Sequence, residues 1–164
     1  CGESRTHGAK RGKIRSDCHP LMRTVKAAIT YRYSSPTVIK AIYEVVEKMG
    51  FQSGNILEPA CGVGNFFGLL PDSMSASKLY GVELDSITGR IAQQLYPDAN
   101  ITVRGFEKTN FPRDFFDLAV GNVPFGNYPV NDREYNKLKF SIHNYFFAKT
   151  LDRVRPGGVV AFVT

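Results

Sequence analysis

Asn55-Ile56-Leu57-Glu58 is a short apolar run that leads without a break into Pro59-Ala60-Cys61-Gly62-Val63-Gly64, and helix-forming residues resume at Asn65-Phe66. A buried strand, a turn with two glycines and a helix start are the opening of a nucleotide-binding α/β unit. Glycine lets backbone approach a ligand closely and leaves amide groups bare at the helix start. Glu83 stands 21 residues beyond Gly62, at the end of the next apolar run. A carboxylate there can accept hydrogen bonds from both hydroxyls of a ribose. Together these features imply a cofactor that carries adenosine. The three-glycine dinucleotide fingerprint is interrupted at Asn65 and Phe67, which disfavours a pyrophosphate.

The rest of the chain continues the alternation. Ser35 is placed to cap a helix with Pro36 in its first turn, Val38, Ile42, Val45, Val46 and Met49 on its apolar face and Gly50 at its end. Strands are expected at Lys78–Glu83, Ile101–Val103, Phe116–Val120 and, after Pro156-Gly157-Gly158, at Val159–Val163. Helices are expected over 86–96, with Ile87, Ile91 and Leu95 inward, and over 141–154, with Ile142, Tyr145, Phe146 and Leu151 inward. The pattern predicts an α/β fold, a parallel sheet with helices on both faces and strand order 3-2-1-4-5. The run ends inside the fifth strand, so a truncated domain is expected.

Composition bounds the alternatives. At 164 residues and 43% hydrophobic, the chain is one domain with a real core. No apolar run approaches the roughly 18 residues of a membrane helix. Residues 1–32 carry eight Lys or Arg against Glu3 and Asp17, which accounts for the whole net charge of +6. They are expected to be a basic, disordered leader, with the folded domain at 33–164. Such a tail can steer a chain toward phosphate. Three cysteines cannot pair completely, and the expectation is thiols in a cytoplasmic setting. No metal site is expected: Cys1, His7, Cys18 and His19 fit no zinc-finger spacing.

The second informative motif is Gly121-Asn122-Val123-Pro124-Phe125, at the end of the fourth strand. Ligands of open α/β sheets sit at the carboxyl ends of the strands, so this loop faces the same crevice as the glycine turn. Asn122 offers a fixed acceptor and donor, and Phe125 a stacking face for a planar base or amide.

These motifs resemble the S-adenosylmethionine-dependent amino-group methyltransferases, particularly the adenine-specific DNA enzymes. Glu58 to Phe66 is similar to their Asp-Pro-Ala-Cys-Gly-x-Gly-x-Phe cofactor motif, and Asn122-Val123-Pro124-Phe125 to their Asn-Pro-Pro-Phe catalytic motif. Tyr33-Ser34-Ser35-Pro36 resembles the family's N-terminal cofactor-contacting segment. The stretch from Gly121 to Phe147 looks like the methylase segment of large methylase–helicase proteins of bacterial mobile elements. The resemblance implies a Rossmann-like methyltransferase fold and S-adenosyl-L-methionine as cofactor. It assigns Tyr33, Ser35, Glu58, Pro59, Ala60, Gly62, Gly64, Glu83, Phe106 and Glu107 to cofactor binding. Glu58 would lie near the methionine amino group, Glu83 would hold the ribose, and Phe106 and Glu107 would approach the adenine ring and its amine. It assigns Asn122, Val123, Pro124 and Phe125 to catalysis. There Asn122 and the Val123 carbonyl accept from the target amine, and Phe125 stacks on an adenine extruded from DNA. Helicase or other DNA-processing regions are implied in the longer parent, and no membrane. Val123 replaces the first proline of the catalytic motif, and Glu58 the more usual Asp.

The same motifs serve enzymes that methylate RNA bases or a protein glutamine amide, and a non-catalytic cofactor-binding module is a further alternative. A nicotinamide oxidoreductase lacks both the third glycine and an acid pair. His143 is expected to pack on its helix, Cys61 to fill the turn as a small residue, and Phe111, Phe115 and Phe116 to be core. Tyr128, beyond the catalytic loop, is expected to be a half-buried loop residue, with lining of the target pocket as the alternative.

Overall fold

The structure is a computed structural model that describes residues 34–126 and 129–164. Tyr33, Tyr128 and the residues of the basic leader lie outside the described residues.

Helix α1 (Pro36–Lys48) begins where the sequence places it: Ser35 Oγ accepts from the Val38 amide at 3.3 Å, and Pro36 opens the first turn. Gly50, at φ +92°, ends it. The strands follow as β1 (Asn55–Glu58), β2 (Lys78–Glu83), β3 (Asn100–Val103), β4 (Phe116–Asn122) and β5 (Val154–Val163). Between them lie the single-turn helix α2 (Asn65–Gly68), α3 (Ser86–Leu95) and α4 (Ile142–Arg153). The sheet is parallel throughout in the order β3-β2-β1-β4-β5, as expected. Strand β5 starts earlier than the sequence implies. Val154 already pairs with Phe116, and the Pro156–Gly158 stretch forms an irregularity before Leu118 pairs with Val159.

Alternation along β1 and β4 sends side chains to two cores. Ile56, Leu118 and Val120 pack with Ile39, Tyr43 and Val46 of α1, whereas Leu57 and Ala119 pack with Ile142, Tyr145 and Phe146 of α4. The expected aromatic core holds: the Tyr80 ring meets Phe111, Phe115 and Phe116 edge-on at 5.4–6.4 Å between centroids.

Three helix faces differ from expectation. On α1 the buried positions are Ile39, Tyr43 and Val46, and Val38, Val45 and Met49 are exposed. The Tyr43 hydroxyl donates to the Phe66 carbonyl at 2.9 Å, which turns that side of the helix inward. On α3 the expected inward residues Ile87, Ile91 and Leu95 are 70%, 45% and 58% exposed, and Gly89 and Ala92 face the sheet. The cause is close approach: a Cβ on Gly89 would stand 2.9 Å from Val103 Cγ2, so only small residues fit there. On α4, Ile142, Tyr145 and Phe146 are inward as expected, but Leu151 is exposed. It lies about two and a half turns beyond Ile142 and therefore on the opposite side.

Candidate active site

The carboxyl ends of β1, β2 and β4 bring the two sequence motifs together. The turn after β1 is tied to β2 twice: the Cys61 amide donates to the Val82 carbonyl at 2.9 Å, and the Gly62 amide to Glu83 Oε2 at 2.9 Å. Glu83 Oε1 accepts from the Asp85 amide at 2.8 Å. Cys61 is buried among Phe67, Ala92 and Ile101, the small packing residue that the sequence suggests.

The two glycines of the turn are needed for different reasons. Gly62 sits at φ +57° and, among the described residues, a Cβ there would meet nothing within 4 Å, so its outer face is open to them. Gly64 sits at φ +86°, and a Cβ there would stand 2.4 Å from the Tyr96 ring. Its missing side chain makes room for Tyr96, whose ring also packs edge-on against Phe67.

Glu58 ends β1 with its carboxylate buried, and among the described residues its Oε2 has no hydrogen-bond partner. Burial pushes this carboxyl well above the usual range, and the nearby Glu83 charge pushes it further. The Gly121–Phe125 segment passes close to the same side chain. A Cβ on Gly121 would lie 3.4 Å from Glu58 Cγ and 3.7 Å from Pro59 Cδ. Asn122 follows, half-buried at the end of β4 and paired with Val163 of β5. Val123 is buried, Pro124 half-buried, and the Phe125 ring is 49% exposed. The strand order reverses between β1 and β4, so these residues stand at the topological switch point where open α/β sheets bind ligands.

Beside this point opens a cleft of about 430 Å³. Its walls include Pro59 and Ala60 from the glycine turn, Phe106 and Glu107 from the turn after β3, Pro124 from the segment after β4, and Phe146 from α4. Five sequence-predicted site residues thus share one cavity. Glu58 and Glu83 lie buried beside it. Phe106 is nearly buried, with its ring 5.1 Å from that of Phe146, and so is part of the wall more than a free platform. Ser35 is exposed and engaged as the α1 cap. His143 packs locally, its Nδ1 at 3.3 Å from Ser141 Oγ.

Sequence reasoning missed Val130, Asn131 and Ile142 as cleft walls, and the buried pair Lys149 and Asp132 behind them. Lys149 lies four residues after Tyr145 and seven after Ile142, so the helical period itself places it on the inward face.

No protein-family model matches the chain. It is 30% identical over 144 residues to "Defense against restriction protein B" of Escherichia phage P1, a match that spans 85% of this chain and 6% of that protein. It is 25% identical over 136 residues to "Modification methylase CviBIII" of Paramecium bursaria Chlorella virus NC1A, which spans 80% of this chain and 36% of the relative. An "rRNA N(6)-adenosine-methyltransferase metl-5" of Caenorhabditis elegans is 25% identical over 138 residues, 79% of this chain and 60% of that protein. Among solved structures, an S-adenosylmethionine-dependent methyltransferase from Clostridium acetobutylicum ATCC 824 superposes with a TM-score of 0.59 at 18% identity. The overlap covers 87% of this chain and 55% of that one, and it is a likeness of fold. The fold is that of S-adenosylmethionine-dependent methyltransferases, and the sequence relatives include DNA and RNA methyltransferases.

S-adenosylmethionine is the cofactor that goes with this fold, and the turn of this chain fits it. An unpartnered buried carboxylate oxygen on Glu58 suits an ammonium group, and the open face of Gly62 admits a ligand against the backbone. The chain spans only part of each relative's length. Among the described residues no helix is long and apolar enough to cross a membrane.

Proposed function

We propose that these residues form the cofactor-binding and catalytic core of a DNA adenine N6-methyltransferase. The observation that carries this reading is the close approach of Gly121 to Glu58 and Pro59, where even a methyl would reach van der Waals contact, next to Asn122 at the switch point of the sheet. When bound, the cofactor supplies a methyl group on a positively charged sulfur.

The chain's own residues do the rest. Glu58 binds the amino group at the methionine end, Gly62 and Gly64 shape the backbone path, and Pro59 and Ala60 line the wall. Glu83, held in place by the Gly62 and Asp85 amides, accepts from the ribose hydroxyls. Phe106 and Glu107 border the adenine. Tyr33 and Ser35 contact the cofactor from the start of the domain. Asn122 Oδ1 and the Val123 carbonyl accept the two hydrogens of the target amine. That orients the nitrogen lone pair at the methyl carbon and offsets the charge that builds on nitrogen. This nitrogen would take the methyl of the bound cofactor, the C–S electron pair would stay on sulfur, and the amine proton would pass to water. The half-exposed Phe125 ring stacks on the adenine after it leaves the duplex. DNA is the partner, and helicase or other DNA-processing regions belong to the longer protein, which is cytoplasmic.

Asn122→Ala in a longer parent is expected to abolish methyl transfer and leave affinity for S-adenosylhomocysteine nearly unchanged. Equal turnover by the variant sinks the assignment. The relative named as an rRNA methyltransferase favours RNA as the second reading. Mass spectrometry of the methylated product on DNA and RNA substrates separates the two.

A further inference from the structure

The proposed chemistry leaves one group unused. Lys149 on α4 is almost completely buried and pairs with buried Asp132, Nζ to Oδ2 2.9 Å. Its ammonium also donates to the Thr109 carbonyl at 3.3 Å. It stands over the Phe106 ring at 5.2 Å from the centroid and near the Tyr145 ring at 5.9 Å. All three ammonium hydrogens therefore have somewhere to go. Asp132 is equally engaged. Oδ2 accepts from the Tyr145 hydroxyl at 2.7 Å as well as from Lys149, and Oδ1 accepts from the Glu134 amide at 3.1 Å.

The partners of Lys149 come from three separate segments, and each sits at or next to a wall of the 430 Å³ cleft. Phe106 is itself a wall, and Thr109 follows the wall residue Lys108. Asp132 follows Asn131, and Tyr145 precedes Phe146. The segment from Pro129 to Ser141 has little regular structure of its own. Among the described residues it has one bridge, Pro129 to Ser141, and a single 3-10 turn at Asn136–Leu138. Side chains hold it instead: Asp132 to Lys149, and Glu134 to Arg153 at 2.6 Å and to Arg113. A buried ion pair adds little net stability over a well-packed apolar pair. It does add direction, because hydrogen bonds fix a register that apolar contacts let slip.

We infer that Lys149 and Asp132 are positioning residues. Their buried pair sets the spacing between the turn after β3, which borders the cofactor, and the segment after the catalytic motif, which borders the target base. The inference rests on the methyltransferase reading for what the cleft holds, but the spacing itself is testable without it.

The test compares the whole chain with Lys149→Met, with the double variant Lys149→Met/Asp132→Asn, and with Tyr145→Phe. Three readouts are needed: thermal melting, amide hydrogen exchange, and calorimetric titration with S-adenosylhomocysteine. The single lysine variant leaves a buried carboxylate uncompensated and should melt lower, and the double variant should recover. Despite that recovery, the double variant should exchange amides of 106–109 and 130–136 about tenfold faster and bind the ligand about tenfold more weakly. Tyr145→Phe removes one bond to Asp132 without stranding a charge. It should fold as the parent does and speed exchange over 130–136 about threefold, and it decides the matter if the double variant melts low. A variant that melts like the parent with exchange in both segments unchanged overturns the inference. Failure of the parent to bind the ligand counts against the methyltransferase reading, and exchange still decides the role of the pair.

Discussion

Glu83 accepts a hydrogen bond from the Gly62 amide, Oε2 to N 2.9 Å, and so joins the end of β2 to the turn after β1. The sequence spacing that suggests a ribose-binding acid thus also encodes a contact inside the protein. Glu83→Gln keeps one acceptor and offers a donor where the Gly62 and Asp85 amides both donate. Bonds to charged acceptors are worth about 1.5–3 kcal/mol each, so the variant should lose roughly tenfold or more in affinity for S-adenosylhomocysteine. Calorimetry with a melting control checks this. Unchanged affinity in a folded variant would remove Glu83 from the ribose site.

Glu58 should make cofactor binding pH-dependent. Its carboxyl is held well above the usual value by burial first and by Glu83 second. Between the ordinary value of about 4.3 and the raised one, the folded chain holds a proton that the unfolded chain has released, so stability falls as pH rises through that window. A ligand ammonium beside Glu58 favours the ionised form, and binding should release that proton. Affinity for S-adenosylhomocysteine should therefore rise with pH across the window, by at most about tenfold per pH unit for one proton. Titrations in two buffers of different ionisation enthalpy count the proton, and Glu58→Gln should abolish its release. The same proton count in that variant would assign the linkage to another group.

The strands and their order were legible because buried parallel strands are short continuous apolar runs punctuated by glycine and proline. The switch-point site was legible for the same reason, since both motifs fall at strand ends. Helix faces were not. On α3 the stripe Ile87, Ile91 and Leu95 has a good helical period yet points outward, because the helix lies too close to Val103 and Glu83 for large side chains. Period marks a face but not the distance to its neighbour. The Lys149–Asp132 pair was hidden because a lysine is read as solvated unless its partner, 17 residues away, is known.

That close approach gives a third prediction. Gly89→Ala gains helix propensity of about 1 kcal/mol, but its methyl would stand 2.9 Å from Val103 Cγ2 and needs a shift of the helix or of the stiff Val103 side chain. Overpacking of this kind costs about 1–3 kcal/mol, so the net effect should be destabilising or at best neutral, whereas Ile87→Ala on the exposed face should stay within about 0.5 kcal/mol. Urea denaturation of both variants checks the contrast. A stabilised Gly89→Ala chain would mean that α3 stands farther from β3.

The two glycines of the turn should separate folding from binding. Both have positive φ, so alanine at either costs about 1–2 kcal/mol in backbone strain. At Gly64 the methyl also collides with the Tyr96 ring, and Gly64→Ala should lower the melting temperature more than Gly62→Ala does. Gly64→Ala/Tyr96→Ala relieves the collision but leaves a cavity against Phe67. At Gly62 the methyl enters open space and the fold should tolerate it. That open space is the proposed path of the cofactor's methionine end, so Gly62→Ala should stay folded and lose most of its affinity for S-adenosylhomocysteine. Melting curves paired with calorimetry read both effects. A folded Gly62→Ala chain with parental affinity would place the ligand away from this turn.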